Sequence, residues 1–305
     1  MSGHTNNEKS VLVTGGLGFV GSHLVDLLVS RGDCKITVID SLVSDSSARD
    51  RMRPGVTYWI DDIRNLNSHK YSVYSSESEL KFDVVYHLAA LARIQPSFKD
   101  PLTCLDVDIM GTAHVLEFAR RNGSKVVYAG SSSAYAGPML NPYAFAKFTG
   151  EQVCELYSSV YNVSTVTARF FNVYGDRQPR TGPYATVIGI FEDQRTNGVP
   201  LTVTGDGEQR RDFTHVTDIA RGLTSLSEST WKGEVFNLGT GKNYSINELA
   251  VLFNPKEIKH IPTRPGEARI TLADISETTG KTGWTPSTEL KEYVHQFLAA
   301  VDRSH

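Results

Sequence analysis

The chain has 305 residues, 40% of them hydrophobic and 21% charged, and its 31 basic and 34 acidic residues leave a formal net charge of −3. That length can bury a large core, while the even charge balance excludes the clustered basic excess of a nucleic-acid-binding protein. No apolar run approaches the ~18 residues of a membrane span.

Three isolated cysteines, and histidines without ligand spacing, indicate neither a disulfide framework nor a metal site. The first ten residues are polar and lack the apolar core of a signal peptide, so they are interpreted as a loose tail. We therefore expect a cytoplasmic protein with no metal, no membrane partner and no nucleic-acid partner.

A strand, a glycine turn and a helix follow one another at the start of the chain. Val11–Thr14 is a short β run, and leucines at helical spacing occur over Ser22–Arg31. Between them, Gly16, Gly18 and Gly21 match the G-x-G-x-x-G pattern, which lets the backbone approach a pyrophosphate at a helix N-terminus. The expected dinucleotide contacts in this turn are Gly15, Gly18, Phe19 and Val20.

The second strand, Lys35–Ile39, ends at Asp40, roughly 20 residues past the glycines. A carboxylate there hydrogen-bonds the adenosine ribose and repels a 2′-phosphate, which favours NAD over NADP. The alternative for this aspartate is a helix cap or a turn residue. The neighbouring Arg49 and Arg51 are expected on the surface.

The next two strands supply further cofactor contacts. Val56–Trp59 leads to acidic residues whose carboxylate could accept a hydrogen bond from the adenine amino group, and Val84–Leu88 ends in small residues that admit the cofactor. His87 lies among apolar neighbours and is expected to be a hydrogen-bonded core residue rather than a base. The expected contacts here are Asp62, Ile63, Leu88, Ala89 and Ala90.

A serine-rich turn leads from the fifth strand, Val126–Ala129, into a helix that Asn141 can cap and Pro142 can open. Tyr143 and Lys147 are four residues apart and share one face of this helix. A lysine ammonium lowers the pKa of a phenol from its usual ~10, so the pair predicts proton transfer at an alcohol or a carbonyl. With thirteen tyrosines in the chain, a chance Tyr-x-x-x-Lys is the alternative.

Two predicted helices carry more apolar surface than one contact with a sheet needs. They run from Asp100 to about Arg121 and from Pro142 to about Val160. We expect them to pair with their twofold mates in a homodimer.

A sixth strand over Thr165–Phe171 extends the alternation of β and α. The predicted fold class is therefore α/β, a Rossmann-type doubly wound parallel sheet with a smaller α/β substrate-binding domain. Residues 216–239 are predicted to return to the sheet as a helix and a strand. The predicted cofactor domain is 10–171 plus about 216–239, and the predicted substrate domain is 172–215 plus 240–305.

Five segments together resemble one protein family. They are Thr14–Gly21, the serine run, Tyr143-x-x-x-Lys147, Arg169–Gly175 and Gly205–Asp218. From about residue 10 to residue 284 the chain resembles an extended short-chain dehydrogenase/reductase of the NAD-dependent nucleotide-sugar epimerase and dehydratase group. The resemblance implies NAD as cofactor, a nucleotide sugar (a UDP-sugar above all) as substrate, and cofactor contacts from Tyr143 and Lys147.

The resemblance also implies roles for individual residues. Tyr143 would be the base that takes the sugar hydroxyl proton, and Ser132, rather than Ser131 or Ser133, would bridge Tyr143 and the substrate oxygen. Two arginines would hold the diphosphate through charge-assisted bonds, although surface ion pairs are the alternative for each. The implied substrate contacts are Ser132, Asn172, Val187, Thr202, Thr204, Arg211, Arg264 and Glu267.

The implied reaction is 4-epimerisation through a transient 4-keto sugar. Ser133 and Ala134 stand where a dehydratase or decarboxylase of this group needs carboxyl groups, which disfavours both reactions. A small residue at the sugar pocket, Thr271, favours UDP-GlcNAc/UDP-GalNAc, with UDP-Glc/UDP-Gal also open.

Two departures from the family pattern keep other activities open. The loop from Ser133 to Pro142 is shorter than is usual in the family, and Asp108 stands where an asparagine near the nicotinamide is common. The alternatives are a nucleotide-sugar 4-dehydrogenase or 4-ketoreductase, a dehydratase, and a non-catalytic NAD-binding sensor or scaffold.

Overall fold

Strands and helices alternate along the chain as the sequence predicts. The computed structural model describes residues 8–43, 46–68, 71 and 81–304. The strands are β1 (Lys9–Thr14), β2 (Cys34–Asp40), β3 (Thr57–Ile60), β4 (Val84–His87), β5 (Lys125–Ser131), β6 (Thr165–Phe170), β7 (Val173–Tyr174), β8 (Leu201–Thr204), β9 (Arg210–Asp212), β10 (Thr214–His215), β11 (Lys232–Leu238), β12 (Asn243–Ser245) and β13 (Ile258–Ile261).

The helices differ widely in length. They are α1 (Phe19–Arg31), α2 (Ile94–Lys99), α3 (Pro101–Leu105), α4 (Gly111–Asn122), α5 (Ser133–Ala136), α6 (Pro142–Tyr161), α7 (Val187–Thr196), α8 (Val216–Ser227), α9 (Ile246–Leu252), α10 (Ser276–Thr282) and α11 (Leu290–Ser304). Short 3₁₀ turns cover Ser46–Arg51, Ile63–Asn65 and Pro138–Leu140.

Seven strands form one parallel sheet in the order β11-β6-β5-β4-β1-β2-β3. The strand order reverses between β1 and β4, so the crossovers from these two strands leave on opposite faces. The predicted α/β doubly wound fold is confirmed. Because ligands of such sheets bind outside the carboxyl ends of the strands at this reversal, the topology itself indicates where a site should lie.

Apolar layers cover both faces of the sheet. On one face α1 and α8 pack against it through residues such as Leu24 and Leu223. On the other face α4 and α6 contribute Leu116 and Cys154. Strands that are buried on both faces read as continuous apolar runs, which is why short segments such as residues 11–14 could be predicted from the sequence.

A third apolar cluster lies apart from the sheet. It unites segments between residues 174 and 213 with segments between 244 and 298, through residues such as Tyr174, Phe191, Val203, Phe253 and Leu290. β11, by contrast, pairs in parallel with β6 in the large sheet. The division into domains stays a proposal, and this partition of the apolar clusters supports the boundaries 10–171 plus about 216–239, and 172–215 plus 240–305.

The helix predicted from Asp100 to about Arg121 is present from Pro101 to Asn122, but it changes its winding on the way. A π-helical segment, Asp106–Met110, separates α3 from α4. Its wider turn accompanies an inward-facing Asp108, whose Oδ1 accepts a hydrogen bond from the Leu91 N–H at 2.7 Å. Directly after it, a Cβ at Gly111 would lie only 2.6 Å from Cδ1 of Ile63.

The polar tail predicted over residues 1–10 is shorter than expected. Lys9 and Ser10 belong to β1, and residues 1–7 lie outside the described residues. Across the described ranges no helix combines the length and the apolar character that crossing a bilayer requires. The cytoplasmic location stays a prediction.

Gly21→Ala tests how tightly α1 packs on the glycine turn. A Cβ at Gly21 would overlap the carbonyl oxygen of Gly15, so we expect the free energy of unfolding to fall by roughly 1–3 kcal/mol. The matched control is Gly280→Ala, at an exposed helical position where a Cβ meets nothing within 4 Å. This control should raise stability by about 0.5–1 kcal/mol. Urea denaturation of both variants checks the prediction, and equal effects at the two positions would contradict it.

Candidate active site

One cavity of about 900 Å³ runs along the carboxyl ends of the central strands. It reaches from the glycine turn after β1, past the N-terminus of α6, to Asn172 and Arg211. Its volume is near the top of the range for ligand pockets, about 300–1,000 Å³. All twelve residues that we predicted to contact the cofactor line it: Gly15, Gly18, Phe19, Val20, Asp40, Asp62, Ile63, Leu88, Ala89, Ala90, Tyr143 and Lys147.

The glycine turn has the shape that a dinucleotide requires. Gly15 has a φ of 67°, and a Cβ there would lie 2.8 Å from the Cα of Ala89. Gly18 is the N-cap residue of α1, and no side chain caps the helix there. The first N–H groups of α1 are therefore left for an anion, so the residues present fit a pyrophosphate.

Asp40 lines the cavity and also holds the turn. Its Oδ2 accepts a hydrogen bond from the Leu17 N–H at 2.9 Å, and its Oδ1 accepts one from the Leu42 N–H at 2.8 Å. Arg51 also lines the cavity and donates to the Leu17 carbonyl at 2.8 Å. The expectation that Arg51 is a surface residue was therefore wrong, because the 3₁₀ turn after β2 folds back onto the glycine turn.

Asp62 lies at the end of β3 with an arginine partner that the sequence did not reveal. Its Oδ1 accepts from the backbone N–H of Arg64 at 2.8 Å, and its Oδ2 accepts from Nη2 of Arg64 at 2.6 Å. These hydrogen bonds from Arg64 lower the pKa of the Asp62 carboxyl. Asp62 therefore stays an ionised acceptor, as the predicted contact with an adenine amino group requires.

His87 is a core residue, as predicted. Its Nδ1 lies 2.8 Å from the Thr14 hydroxyl, and its Nε2 lies 3.0 Å from the Thr112 hydroxyl. Burial, together with the positive charge of Lys147, lowers the pKa of His87 to about 3. The ring therefore stays neutral and ties β4 to β1 and α4 beneath the cavity.

The N-terminus of α6 is fixed by the cap that the sequence predicts. The Asn141 side chain accepts a hydrogen bond from the Ala144 N–H at 2.7 Å, and Pro142 occupies the first turn. The Tyr143 N–H, which no helical carbonyl can satisfy, donates to the Ser97 hydroxyl at 3.2 Å. These bonds place Tyr143 and Lys147 on the cavity wall.

The electrostatics of Tyr143 differ from the prediction. Burial raises the pKa of the phenol, and the negative charge of Asp108 acts in the same direction. A hydrogen bond with Ser131 and the positive charge of Arg93 lower the pKa, but they do not offset burial. The prediction that Lys147 brings the phenol towards ionisation near neutral pH is therefore wrong for the protein without ligands, because desolvation opposes the phenolate.

Lys147 is a buried cation in the cavity wall. Its Nζ donates to the Ala129 carbonyl at 2.9 Å and lies 4.9 Å from the centre of the Tyr128 ring. Burial lowers the pKa of Lys147, and the nearby carboxylate of Asp108 partly restores it. Burial also raises the pKa of Asp108. The two groups thus share an environment that disfavours both charges unless each supports the other.

The three serines of the turn after β5 line the cavity together with Tyr143. Ser131, the last residue of β5, lowers the pKa of the Tyr143 phenol, and Ser133 Oγ donates to Ser131 Oγ at 2.9 Å. The backbone N–H of Ser132 donates to the Phe170 carbonyl at 3.0 Å, while Ser132 lines the same cavity. A role for Ser132 at the substrate oxygen stays a prediction.

Asn172 and Arg211 are the predicted substrate contacts at the far end of the cavity. The Asn172 side chain donates to the Asp212 carbonyl at 2.9 Å and to the Thr271 hydroxyl at 3.0 Å, so its orientation is fixed. Arg211 faces Glu267 at 3.6 Å. Burial lowers the pKa of Arg211, which marks its guanidinium as poorly hydrated.

Five other predicted substrate contacts are not part of the cavity wall. The lining includes Ser132, Asn172 and Arg211 but not Val187, Thr202, Thr204, Arg264 or Glu267. Thr202 bonds to Gln194 at 2.8 Å, and Arg264 is exposed to solvent. Their roles at the substrate stay predictions.

The loop that carries Arg264 and Glu267 is nevertheless held beside the site. Gln95 donates to the Pro265 carbonyl at 3.1 Å, and the Asn141 side chain donates to the Gly266 carbonyl at 2.9 Å. The cap residue of α6 therefore also fixes this loop next to the entrance of the cavity.

Besides Arg64, sequence reasoning missed three arginines in the cavity wall. Arg93 follows β4, while Arg177 and Arg180 lie in the loop after β7. The signal that could have found Arg93 is its position a few residues past the carboxyl end of a predicted buried strand, where sites of parallel sheets lie. Arg177 and Arg180 follow the matched segment Arg169–Gly175 too closely to be dismissed as distant surface residues.

Comparisons with known proteins agree with this geometry. The sequence profile of the NAD-dependent epimerase/dehydratase family matches residues 11–239. A Methanocaldococcus jannaschii protein that bears the name of a UDP-glucose 4-epimerase is 33% identical over 308 residues, covering 94% of this chain and 97% of its own.

Solved structures are similar over nearly the whole chain. A UDP-N-acetylglucosamine 4-epimerase from Methanobrevibacter ruminantium, in complex with UDP-N-acetylmuramic acid, has a TM-score of 0.85 at 31% identity, with 98% of this chain and 99% of that chain covered. The UDP-glucose 4-epimerase of Thermus thermophilus in complex with NAD has a TM-score of 0.85 at 27% identity, with coverages of 97% and 100%. UDP-glucuronic acid decarboxylases are also among the relatives.

The parallel sheet and the Tyr143/Lys147 pair beside a glycine turn define an extended short-chain dehydrogenase/reductase. Within that class, the chain belongs to the NAD-dependent epimerase/dehydratase family. It is an enzyme, and its cofactor is NAD.

The neutral His87 makes the stability of the fold depend on pH. Its folded pKa of about 3 lies below the ~6.5 of an unfolded chain, so only the unfolded state binds a proton between these values. As pH falls from about 6.5 towards 3, His87 should therefore remove roughly 1.4 kcal/mol of stability per pH unit. Urea denaturation of the wild type between pH 7 and 4 measures this slope.

The slope should become shallower in His87→Gln, which has no proton to bind. His295→Gln, at an exposed position on α11, is the matched control and should keep the wild-type slope. If His87→Gln and wild type show the same pH slope, the neutral ring is not the cause.

Proposed function

We propose that the protein is an NAD-dependent nucleotide-sugar 4-epimerase that acts on a UDP-sugar through a transient 4-keto intermediate. One observation carries the proposal. The same cavity is lined by the twelve predicted cofactor contacts, by the Tyr143/Lys147 pair with its serines, and by Asn172 and Arg211. A reacting sugar carbon and a cofactor can therefore meet at Tyr143.

The chain's own residues would move the proton. In its ionised form Tyr143 takes the proton from the sugar C4 hydroxyl, and a serine hydroxyl, Ser131 or Ser132, bonds to the same substrate oxygen. Lys147 would support the phenolate, because a buried cation one helical turn away offsets part of the cost of burying a negative charge. NAD, when bound, accepts a hydride from C4 and returns it. Proton return from Tyr143 to the 4-oxygen closes the cycle.

Inversion at C4 requires the 4-keto sugar to present its other face. Arg211 would hold the diphosphate at the far end, so that the sugar ring can turn about the diphosphate bond. The size of the cavity, about 900 Å³, supports such movement. Arg264 and Glu267, on the loop beside the entrance, would contribute to the diphosphate and the nucleotide ribose once the substrate is present.

The sugar is proposed from one small residue and from the relatives. Thr271 lines the cavity, and its hydroxyl is engaged by Asn172, so it leaves room for a bulky group on the sugar. Relatives that bear the names of UDP-glucose and UDP-N-acetylglucosamine 4-epimerases support UDP-Glc/UDP-Gal and UDP-GlcNAc/UDP-GalNAc. Ser133 and Ala134, which lack the carboxyl groups that a dehydratase or decarboxylase of this family needs, support epimerisation over dehydration and decarboxylation.

Tyr143→Phe should lower turnover by about 10³-fold while leaving the fold intact, because it removes the proton-accepting oxygen and keeps the ring. The assay incubates the purified holoenzyme with UDP-, dTDP- and GDP-sugars and follows the C4 configuration by proton NMR. Tyr244→Phe, on β12 away from the cavity lining, is the matched control and should keep full activity.

Other outcomes of this assay have definite meanings. If a sugar nucleotide yields stoichiometric NADH and no C4 epimer, the protein is a 4-dehydrogenase and the epimerase proposal falls. A folded wild type that binds NAD and converts no sugar nucleotide would favour the sensor or scaffold. Turnover by Tyr143→Phe at the wild-type rate would remove Tyr143 from the mechanism.

We also propose that the protein is a homodimer. The outer face of α3, the π-helical segment and α6 exposes large apolar side chains, among them Leu102, Met110, Leu156 and Val160. Leu156 and Val160 lie four residues apart on α6 and are 51% and 61% exposed. A twofold pairing of these helices would bury this surface in a four-helix arrangement.

Light scattering should give twice the 33.6 kDa chain mass at micromolar concentration. The double substitution Leu156→Glu and Val160→Glu should produce a monomer, because it places charges in a buried apolar interface. Val251→Glu is the matched control, since Val251 is 67% exposed on α9, outside this face. A monomeric wild type would exclude the dimer.

A further inference from the structure

Arg93 is fixed at the cavity wall by main-chain carbonyls. Its Nε donates to the Tyr184 carbonyl at 2.7 Å, and its Nη1 donates to the Ala92 carbonyl at 2.8 Å. Nη2 has no partner in the described part of the chain, and it is not among the polar atoms that are sealed from solvent. One edge of an oriented guanidinium is therefore available to a ligand in the cavity that Arg93 lines.

Arg93 has no counter-ion among the described residues, unlike four other arginines of the cavity wall. Four other arginines of the wall each face a protein carboxylate, as the pairs Arg64–Asp62, Arg177–Asp26, Arg180–Glu192 and Arg211–Glu267 show. Within the described residues, no carboxylate lies within 4.0 Å of Arg93. Burial lowers its pKa, and only two tyrosines oppose that effect. An anion from a ligand would stabilise this poorly hydrated guanidinium, because charge-assisted hydrogen bonds would replace its lost hydration.

The position of Arg93 limits which anion this can be. Arg93 directly precedes α2, whose Ser97 hydroxyl accepts a hydrogen bond from the Tyr143 N–H at 3.2 Å, so Arg93 lies at the end of the cavity where the reacting carbon must sit. In a pyranose the diphosphate-bearing C1 is across the ring from C4, and Arg211 lies at the diphosphate end. The anion at Arg93 must therefore be carried by a neighbour of C4. The ring substituent that can supply it is a carboxylate on C5.

We propose that Arg93 binds the C6 carboxylate of a nucleotide-linked hexuronic acid and selects this substrate over the corresponding neutral hexose. The inference rests on the proposed 4-epimerase function and deepens it, since it replaces the C6 alcohol of the sugar by a carboxylate and leaves the reaction at C4 unchanged. A bulky group at C2, as Thr271 permits, is compatible with it.

A chemical consequence follows from such a substrate. A hexuronate oxidised at C4 is a β-keto acid, which loses its carboxyl group as CO₂ when the C5–C6 bond breaks and its electron pair moves towards the 4-oxygen. A guanidinium that keeps the carboxylate ionised and paired opposes this loss, because the negative charge must leave the ion pair. Arg93 would thus favour return of the hydride over decarboxylation.

The direct test measures binding to the NAD-loaded full-length wild type by isothermal titration calorimetry. UDP-glucuronic acid and UDP-glucose differ only in the group at C6. We expect UDP-glucuronic acid to bind at least 10-fold more tightly, since hydrogen bonds between charged groups contribute about 10- to 100-fold. Equal binding, or tighter binding of UDP-glucose, would overturn the assignment without any variant.

Arg93→Gln and Arg93→Lys provide the second test. Arg93→Gln should remove the preference by weakening UDP-glucuronic acid about 10- to 100-fold while changing UDP-glucose little, and Arg93→Lys should keep part of it. Arg31→Gln, which removes an exposed arginine at the end of α1, should change neither affinity. If Arg93→Gln does not fold, two measurements still test the proposal. They are the ratio of the wild-type affinities for UDP-glucuronic acid and UDP-glucose, and the same ratio for Arg93→Lys.

The pH dependence of turnover separates this role from a general effect on Tyr143. If Arg93 served only to stabilise the phenolate, Arg93→Gln would shift the pH profile and lower kcat for both sugars alike, and the proposal would fall. If Arg93 binds the carboxylate, Arg93→Gln should raise KM, and it should do so for UDP-glucuronic acid alone.

The binding and turnover arms also keep the two proposals apart. Tighter binding of UDP-glucuronic acid without any C4 epimer would reject the epimerase proposal and retain Arg93 as the carboxylate ligand. Epimerisation of both sugars without preference would reject Arg93 as the carboxylate ligand and retain the epimerase proposal. A pentose product, detected by proton NMR after loss of CO₂, would replace the epimerase by a decarboxylase and reject the role of Arg93 in opposing decarboxylation, and the binding preference alone would then decide whether Arg93 is the carboxylate ligand.

Discussion

The site depends on the unusually close approach of α6 to β5. A Cβ at Gly150 on α6 would overlap the hydroxyl of Tyr128 on β5, and a Cβ at Gly130 on β5 would lie 2.8 Å from Oε1 of Glu151 on α6. Because neither glycine carries a side chain, α6 can lie directly against β5. Only at this separation can the Lys147 ammonium reach the Ala129 carbonyl at the strand end. The same close approach sets the distance between the sheet and Tyr143, which lies one helical turn before Lys147.

A partly buried ion pair fixes the angle of this contact. Arg169 on β6 bonds to Glu151 on α6 through Nη2 at 2.6 Å and Nε at 2.9 Å, and its guanidinium stacks on the Tyr135 ring at 4.9 Å. Such a pair contributes less to stability than to geometry, because desolvation offsets much of the attraction between the charges. Here it joins the helix that carries Tyr143 to the strand beside the serine turn and to α5, which follows that turn.

The sequence could predict the parts of this arrangement that depend on local rules. Buried parallel strands are short apolar runs, the glycines of the first turn have a fixed spacing, and Asn141 followed by Pro142 is a helix start that needs no tertiary information. Ten of the twelve cofactor contacts could be named because each lies in the glycine turn or at the end of a strand, and Tyr143 and Lys147 because they lie four residues apart on one helix. Their convergence on one cavity is a consequence of parallel strand order, which brings carboxyl ends to the same edge.

The features that could not be predicted all arise from tertiary packing. The apolar spacing of residues 100–121 does not reveal the π-helical segment. A π turn holds one extra residue, and the pattern of apolar residues in the sequence does not record that wider turn. The partner of Asp62 and the place of Arg51 depend on how two 3₁₀ turns fold back. The effect of Ser131 on the pKa of the Tyr143 phenol depends on the direction in which its hydroxyl leaves the strand end. Spacing alone cannot distinguish two adjacent serines.

The largest error concerned the pKa of Tyr143, and its origin is physical. Counting charges along a helix registers the cation of Lys147 but not the loss of solvent that comes with burial, and burial here outweighs the neighbouring charges. The ionisation of the phenol is therefore decided by the charges around it in the loaded site. Asp108 opposes it, while Lys147 and Arg93 favour it. A substrate carboxylate paired with Arg93 would cancel most of that residue's influence on the phenol. Lys147 would then remain as the cation that must support the phenolate, so the close contact between α6 and β5 also sets the electrostatics of proton transfer.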